Sequence, residues 1–312
     1  KVKQENGELA DETRTVYYSH YGPIMGWLSS NMALTYRDAN AGNVNIVPQW
    51  FAMNAATSLE EFQSAYEEHQ GIPWVNTMAT DSKGNVFYID GARTANLHPQ
   101  AEAQITPLLT TPLAQLQFAE DNQQLPAGTT TIATQLQAEW KEGRGQLVLD
   151  GSNAGLEWVT DPSTPIAGVA PFSKAPKTTR TDYVFNANSS HWLTNVEEPL
   201  EGYSIVYGPE QTIRSPRTRM NAKQLTEVSA TGASGADGKF SLEELKAVMT
   251  TQRGMSSELV KDDVATRCAG KQNIVLDETK TVDITSICQA ITAWDGRYYN
   301  ESIGAHVFRE FL

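Results

Sequence analysis

A short polar stretch at residues 186–195 (Asn-Ala-Asn-Ser-Ser-His-Trp-Leu-Thr-Asn) concentrates side chains that are capable of chemistry. An asparagine carboxamide donates hydrogen bonds without ever ionising, which suits the stabilisation of a developing oxyanion. Val184 and Phe185 precede the stretch like the end of a buried strand. The pattern predicts a strand end that delivers asparagine side chains into a turn, where they can hold a substrate. The alternative is an asparagine-rich turn whose side chains bond their own backbone.

A basic stretch follows at residues 214–219, in a chain whose formal net charge is −13. The donor fork of arginine is rigid and always charged, so it binds carboxylates and amides with defined geometry. The stretch is therefore a candidate anchor for a carboxylate or amide near the asparagine stretch. The alternative is a solvated loop whose surface ion pairs contribute little.

Three further features have both a chemical and a structural interpretation. His20 lies at a predicted strand end, where a catalytic histidine and a structural turn residue are both possible. Cys268 and Cys288 would form one disulfide in an oxidising compartment, worth about 3 kcal/mol, or else remain two buried thiols. Neither cysteine has neighbours at the spacing of a zinc site.

The stretch from Asp237 to Glu244 matches only the second half of a calcium-binding EF-hand loop. Ala233 and Gly235 stand where that loop needs side-chain oxygen ligands. A glycine-rich loop followed by a helix with a capping box at Ser241 is the simpler interpretation. We therefore expect no metal site and no cofactor.

Composition limits the functional classes. The chain has 312 residues, of which 40% are hydrophobic, enough for one large or two ordinary globular domains. The net charge of −13 argues against nucleic acid and anionic membrane surfaces as partners, because both are negatively charged. No apolar run approaches the roughly 20 residues that a membrane-spanning helix needs.

The spacing of hydrophobic residues, together with helix-cap and turn residues, predicts a mixture of helices and strands along the chain. A helix with a Ser58 cap and a hairpin around Asp81 are the clearest local signals, and we expect strands over Leu147–Asp150 and Leu156–Val159. The C-terminal third reads as mostly helical. The predicted segments are a sheet-rich core part (1–97), an insertion (98–150), core strands with the asparagine stretch (151–229) and a helical lobe (230–312).

Five motifs occur in order along the chain: Ser-His-Tyr-Gly-Pro (19–23), Gln-Gly-Ile-Pro-Trp-Val-Asn-Thr (70–77), the stretch 186–195, Pro-Arg-Thr-Arg (216–219) and Ala-Trp-Asp-Gly-Arg (293–297). Together they resemble the penicillin acylase family, in the order expected for it. The last four are similar to the branch that holds acyl-homoserine-lactone acylases and aculeacin A acylase, with residues 98–145 the weakest part.

The resemblance implies an N-terminal-nucleophile hydrolase, in which a self-cleaved precursor exposes a serine whose own amino group activates it. The implied α+β fold is part of a four-layer αββα sandwich with an added, partly helical lobe. The implied substrates are acylated amides such as N-acyl homoserine lactones, acylated peptides or β-lactams. The implied macromolecular partners are the α chain of the same precursor and the rest of the β chain, and the implied location is periplasmic or secreted.

Residue by residue, the resemblance assigns roles to five positions. Asn188, the second asparagine of Asn-Ala-Asn, matches the asparagine of the oxyanion hole, and Arg217 matches the arginine that helps orient it. Three side chains fall where family members line the acyl-chain pocket: Leu34, Trp50 and Trp74. For each of the two tryptophans, packing in the core is the alternative role.

The chain also departs from the family pattern. Residue 1 is Lys1 rather than a nucleophile, so we expect the serine to lie upstream and the isolated chain to be inactive. Ser189 stands where the family usually has Asp, and Asn186 and His191 are expected to support the loop. A second hypothesis, a secreted calcium-binding or interaction module without catalysis, rests on the acidic balance and the Asp237 loop.

Overall fold

The computed structural model describes residues 1–110 and 149–311. Most of the predicted insertion, including the strand expected to start at Leu147, therefore lies outside the described residues. The chain divides into two compact units. The first unit comprises residues 1–182 and 201–210, and the second comprises residues 183–200 and 211–312.

The first unit contains helices and small antiparallel sheets. Two three-stranded sheets have the orders β3-β4-β5 and β6-β7-β8, and β1 pairs with β2. The strands are β1 (Val2–Lys3), β2 (Leu9–Ala10), β3 (Tyr18–Ser19), β4 (Gly22–Ser29), β5 (Met32–Thr35), β6 (Thr77–Thr80), β7 (Val86–Ile89) and β8 (Lys177–Arg180). The helices are α1 (Ile46–Ala55), α2 (Leu59–His69) and α3 (Pro99–Thr110).

Local sequence signals account for the best-predicted elements of this unit. The Ser58 hydroxyl accepts the Glu61 backbone N–H at 3.1 Å and caps α2. The Asp81 carboxylate accepts the backbone N–H groups of Lys83 and Asn85, both at 2.9 Å, and closes the β6–β7 turn. Both predictions are confirmed.

Apolar burial holds the first unit together. Tyr66 of α2 and Phe87 and Ile89 of β7 belong to one core cluster, and each is at most 2% exposed. Burial of side chains of this size contributes about 1.5–3 kcal/mol each.

The strand predicted over Leu156–Val159 is wrong. That segment follows a 3₁₀ turn (Ala154–Leu156) and forms one isolated bridge, from Trp158 to Leu97.

The second unit contains five helices and one hairpin among its described residues. The helices of residues 230–311 were expected, whereas the hairpin was not predicted. Its hairpin strands lie between the two cysteines. The elements are α4 (Pro216–Thr226), α5 (Leu242–Thr250), α6 (Met255–Cys268), β9 (Asn273–Asp277), β10 (Lys280–Asp283), α7 (Thr285–Ala293) and α8 (Ala305–Phe311).

Covalent and polar contacts fix the helices of the second unit. A disulfide joins Cys268 and Cys288, whose Cα atoms are 5.2 Å apart. Arg253 donates to Glu227 at 2.8 Å and also pairs with Glu258, which accepts from Lys223 of α4 at 2.6 Å. Hydrogen bonds from Arg253 lower the pKa of Glu258 to about 2. The ion pairs therefore tie α4 to α6.

The described residues confirm an α+β chain with small sheets. Among them, no helix combines the length and the apolar character needed to cross a bilayer.

Candidate functional site

The asparagine stretch forms a closed loop of irregular backbone, residues 183–200, in the second unit. The Phe185 N–H donates to the Thr194 carbonyl at 2.9 Å, and the Leu200 N–H donates to the Trp192 carbonyl at the same distance. Residues 184 and 185 are not in a strand, so the predicted strand end is wrong. Hydrogen bonds across the loop, together with a 3₁₀ turn over His191–Leu193, hold it instead.

Asn188 lies at the exposed tip of this loop in a left-handed conformation, with φ +56°. Its backbone N–H donates to the Asn186 carboxamide oxygen at 2.7 Å, and the Asn186 amide nitrogen donates to the Ser189 carbonyl at 3.0 Å. Asparagine tolerates this conformation better than most residues, because its side chain is short and polar. Asn186 therefore acts as a structural support and fixes the backbone on both sides of Asn188.

The Asn188 carboxamide itself has no hydrogen-bond partner among the described residues of the second unit. In contrast, the Asn195 carboxamide donates to Tyr183 at 3.0 Å and accepts from Glu197 and Glu198 at 2.9 and 3.1 Å. The alternative of a self-bonded asparagine turn thus describes Asn186 and Asn195 but not Asn188. A neutral donor is left at the surface of a fixed loop.

Arg217 contacts the loop from α4, immediately before Asn188. Ser215 caps α4 by accepting the Thr218 N–H at 3.2 Å, and Pro216 occupies the first turn. The Arg217 guanidinium donates to the carbonyl of buried Ala187. The structure thus brings Arg217 to the peptide that precedes Asn188, which is the geometry of an orienting contact.

A second arginine in the same stretch, Arg214, contacts the loop after Asn188. Its guanidinium donates to the Ser190 hydroxyl at 2.9 Å and lies 4.6 Å from the centre of the Trp192 ring. Burial lowers the pKa of Arg214. The sequence reasoning did not assign this residue, because it treated the basic stretch as a loop. The Ser215-Pro216 pair was the available signal that a helix starts there.

The three pocket candidates lie in the first unit. Leu34 is a half-buried residue of β5, Trp50 lies on α1, and Trp74 follows the segment 69–73. The two tryptophans are 46% and 78% exposed, so neither is enclosed by the described core. Their assignment to an acyl-chain pocket stays a prediction.

Four amide side chains fasten the segment that leads into Trp74, and we call them the amide clamp. Their contacts are with backbone atoms of residues 69–73. Asn40 donates to Pro73, Asn43 to Gly71 and Asn45 to His69 at 3.2, 2.9 and 2.8 Å, while the Gln49 oxygen accepts from Gly71 and Ile72.

The clamp leaves no space at Gly71, where an added Cβ would lie 2.4 Å from the Asn45 carbonyl carbon and oxygen. Gln49 itself is fully buried and belongs to α1, the helix that carries Trp50. The clamp therefore fixes both the backbone leading to Trp74 and the helix of Trp50 within one unit.

His20 belongs to a polar cluster around Glu157 in the first unit. The Glu157 carboxylate accepts from Tyr21, from His20 at 3.3 Å and from Arg37 at 3.1 Å. The Tyr21 hydrogen bond is the main cause of the lowered pKa of Glu157. The His20 side chain is 71% exposed, and its contact is with a neighbouring acid rather than a nucleophile.

The glycine-rich loop before α5 has carboxylates that serve as caps. Asp237 accepts the Lys239 N–H at 3.0 Å, and Glu244 accepts from both the N–H and the hydroxyl of Ser241 at 2.7 Å. The predicted capping box is confirmed. In the described part of the chain, no group of three or more His, Cys, Asp or Glu side chains is placed to hold a metal ion.

The fold of this chain is similar to that of a solved enzyme structure. A solved structure of a thermostable penicillin G acylase from Alcaligenes faecalis superposes with a TM-score of 0.52, covering 96% of this chain and 41% of that chain. The two sequences are 13% identical, so this likeness concerns the fold alone.

The chain belongs to the penicillin amidase family, whose model matches residues 1–312. It is 32% identical over 307 residues to aculeacin-A acylase of Actinoplanes utahensis, covering 96% of this chain and 35% of that protein. It is 30% identical over 317 residues to the acyl-homoserine lactone acylase PvdQ of Pseudomonas syringae pv. syringae (strain B728a), covering 100% of this chain and 35% of that protein. The chain thus spans about a third of the length of these curated relatives.

Proposed function

We propose that this chain is a segment of an amidohydrolase that removes an acyl chain from an amide. N-acyl homoserine lactones, acylated peptides and β-lactams are the candidate substrates, and the nucleophilic serine lies outside the chain. The proposal includes the four-layer sandwich as the fold of the whole enzyme. The observation that carries it is the exposed carboxamide of Asn188, which has no hydrogen-bond partner among the described residues of its unit and lies on a loop fixed by Asn186 and Arg217.

The chemistry follows from the charge that develops during amide hydrolysis. Attack on the carbonyl carbon produces a tetrahedral intermediate with a negative oxygen, and a second such intermediate forms when water releases the acyl group. The Asn188 amide N–H would donate to this oxygen. Because the loop is already fixed, little reorganisation accompanies the reaction, and the donor stabilises the transition state more than the ground state.

The remaining proposed parts follow from the same assignment. Trp50, Trp74 and Leu34 would contact the acyl chain, whose burial is favourable in proportion to its apolar area. The α chain and the rest of the β chain would complete the enzyme, so the isolated chain would be inactive. The Cys268–Cys288 disulfide supports a periplasmic or secreted location, because such bonds persist in oxidising compartments.

Substitution of Asn188 tests the oxyanion role directly. In the parent enzyme, Asn188→Ala should cost about 3 kcal/mol of transition-state stabilisation, a fall in kcat of about 10²-fold. Asn188→Gly is the matched control for the backbone, because glycine accepts the left-handed conformation without strain. The loss should be shared by both variants in an amide-hydrolysis assay. A kcat close to that of the wild type in either variant would exclude the role.

A further inference from the structure

Two arginines contact the loop of residues 183–200, one just before Asn188 and the other just after it. Arg217 binds the carbonyl of Ala187, one residue before it, and Arg214 binds the hydroxyl of Ser190, two residues after it. We propose that Arg214 is a positioning residue that holds the Asn188 carboxamide in its productive orientation. This inference rests on the proposed oxyanion role of Asn188.

The Arg214 guanidinium is held from several directions within the second unit. One terminal nitrogen donates to the Thr212 hydroxyl at 2.9 Å, and the other donates to the Ser190 hydroxyl at 2.9 Å. The central carbon lies 4.6 Å from the centre of the Trp192 ring, the distance of a cation–π contact. Because the guanidinium is planar and rigid, these contacts fix the direction of the bond to Ser190.

These contacts change the interpretation of the basic stretch. Its arginines were expected to anchor a carboxylate or an amide. The two terminal nitrogens of Arg214 donate to hydroxyl groups of its own chain, and the side chain is half-buried and contacts the Trp192 ring. Arg214 therefore contacts the loop that presents the Asn188 amide, as a positioning role requires.

Ser190 connects a buried turn to the exposed tip of the loop. It directly precedes the 3₁₀ turn that starts at His191, which is 0% exposed. Asn188, two residues earlier, is exposed and left-handed, a conformation that is unfavourable for most residues other than glycine. A loop tip held in such a conformation depends on contacts on both sides. Arg217 supplies one contact, and the Arg214–Ser190 hydrogen bond supplies the other.

Loss of this support should affect the chemical step more than substrate binding. The oxyanion exists only in the transition state and the intermediates, so a misplaced Asn188 amide lowers kcat and leaves KM nearly unchanged. A displacement of about 1 Å at a reacting group can cost about 10²-fold in rate. We expect Arg214→Ala to lower kcat by between about tenfold and 10²-fold. Ser190→Ala should lower kcat by less, since Arg214 keeps its hydrogen bond to Thr212 and its contact with Trp192, and almost no volume is lost.

The experiment uses the processed parent enzyme and the para-nitroanilides of octanoic and dodecanoic acid as amide probes. The variants Arg214→Ala, Ser190→Ala, Asn188→Gly and Arg214→Ala/Asn188→Gly are compared for kcat, KM and melting temperature. If Arg214 acts through Asn188, its substitution should change kcat less than about twofold once the carboxamide is gone. A purely structural role would lower kcat in both backgrounds and would lower the melting temperature in step.

Arg219→Ala is the matched control, because it removes the same charge from the same basic stretch. Arg219 is exposed, and its side chain has no hydrogen bond or ion pair in the described part of the second unit. The kcat of the Arg219→Ala variant should equal that of the wild type. If Arg214→Ala does not fold, Ser190→Ala takes its place. Its effect on kcat is then compared in the wild type and in Asn188→Gly.

The outcomes separate this inference from the proposed function. Unchanged kcat in Asn188→Gly would refute the oxyanion role itself. A large loss in Asn188→Gly with wild-type kcat in Arg214→Ala and Ser190→Ala would overturn only the positioning role. Losses that multiply in the double variant would also overturn it, since Arg214 would then act independently of Asn188.

Discussion

Two asparagine-rich regions of this molecule use the same side chain in different ways. In the amide clamp of the first unit, Asn40, Asn43 and Asn45 all donate to backbone carbonyls. In the loop of the second unit, Asn186 and Asn195 do likewise, but the carboxamide of Asn188 is left without a partner among the described residues of that unit.

The difference indicates that the partner of a carboxamide, rather than its presence, separates structural asparagines from one that is available to a ligand. Where the carboxamide bonds backbone groups within the fold, substitution should reduce stability and affect activity only indirectly. Where the loop is fixed by its neighbours and one amide is left over, substitution should affect activity and leave stability nearly unchanged. Stability measurements on variants from both regions therefore test this distinction.

The largest effect is expected at Gln49 in the clamp. Gln49→Leu removes the acceptor of two backbone N–H groups, those of Gly71 and Ile72, at a fully buried site. Unsatisfied buried donors cost about 1–3 kcal/mol each, so we expect a loss of about 3 kcal/mol. Thermal unfolding of the parent protein measures it. Gln63→Leu, on the neighbouring helix, is the control, because its side-chain hydrogen bond is exposed. Equal melting temperatures for the two variants would refute a structural role of the clamp.

A smaller loss is expected at Asn195 in the second region. Its carboxamide is 0% exposed and bonds three backbone groups, of Tyr183, Glu197 and Glu198. We expect Asn195→Ala to cost about 2 kcal/mol. Asn273→Ala, at an exposed position of β9, should stay within about 0.5 kcal/mol of the wild type. Denaturant midpoints of both variants provide the test, and a stable Asn195→Ala would contradict the classification of this residue as structural.

The smallest stability effect is expected at Asn188. Asn188→Gly removes only an unpaired carboxamide and preserves the φ of +56°, so unfolding should change by about 0.5 kcal/mol or less. Asn188→Ala should cost somewhat more, up to about 1 kcal/mol, because alanine resists the left-handed region. Both are measured by the same denaturant titration. If Asn188→Gly lost as much stability as Asn195→Ala, the two kinds of asparagine could not be distinguished.

The sequence predicted the elements whose signals are local. The cap of α2 at Ser58, the hairpin closed by Asp81 and the capping box of α5 at Ser241 each depend on residues within four positions of one another. The β9–β10 hairpin was missed because its strands are exposed along almost their whole length and show no buried alternation. The strand expected before Asn186 was wrong because long-range hydrogen bonds override the β propensity of Val184 and Phe185.

The candidate site was predictable in part. Asn188 and Arg217 were identified by resemblance, and the structure brings Arg217 to the peptide before Asn188. The contact of Arg214 with Ser190 joins residues 24 positions apart. No propensity or periodicity encodes such a pair, since it depends on where α4 starts and how the loop closes.

The glycine at position 71 bears on how relatives of this chain are recognised. Gly71 lies in one of the motifs by which the chain resembles its family, yet steric exclusion by the Asn45 backbone is what requires a glycine there. A homologue that had lost its chemistry would keep that glycine, because without it the segment could not pack. Genome surveys that select acylases by such motifs will therefore collect inactive descendants along with working enzymes. The residue aligned with Asn188 is the one to inspect when sorting them.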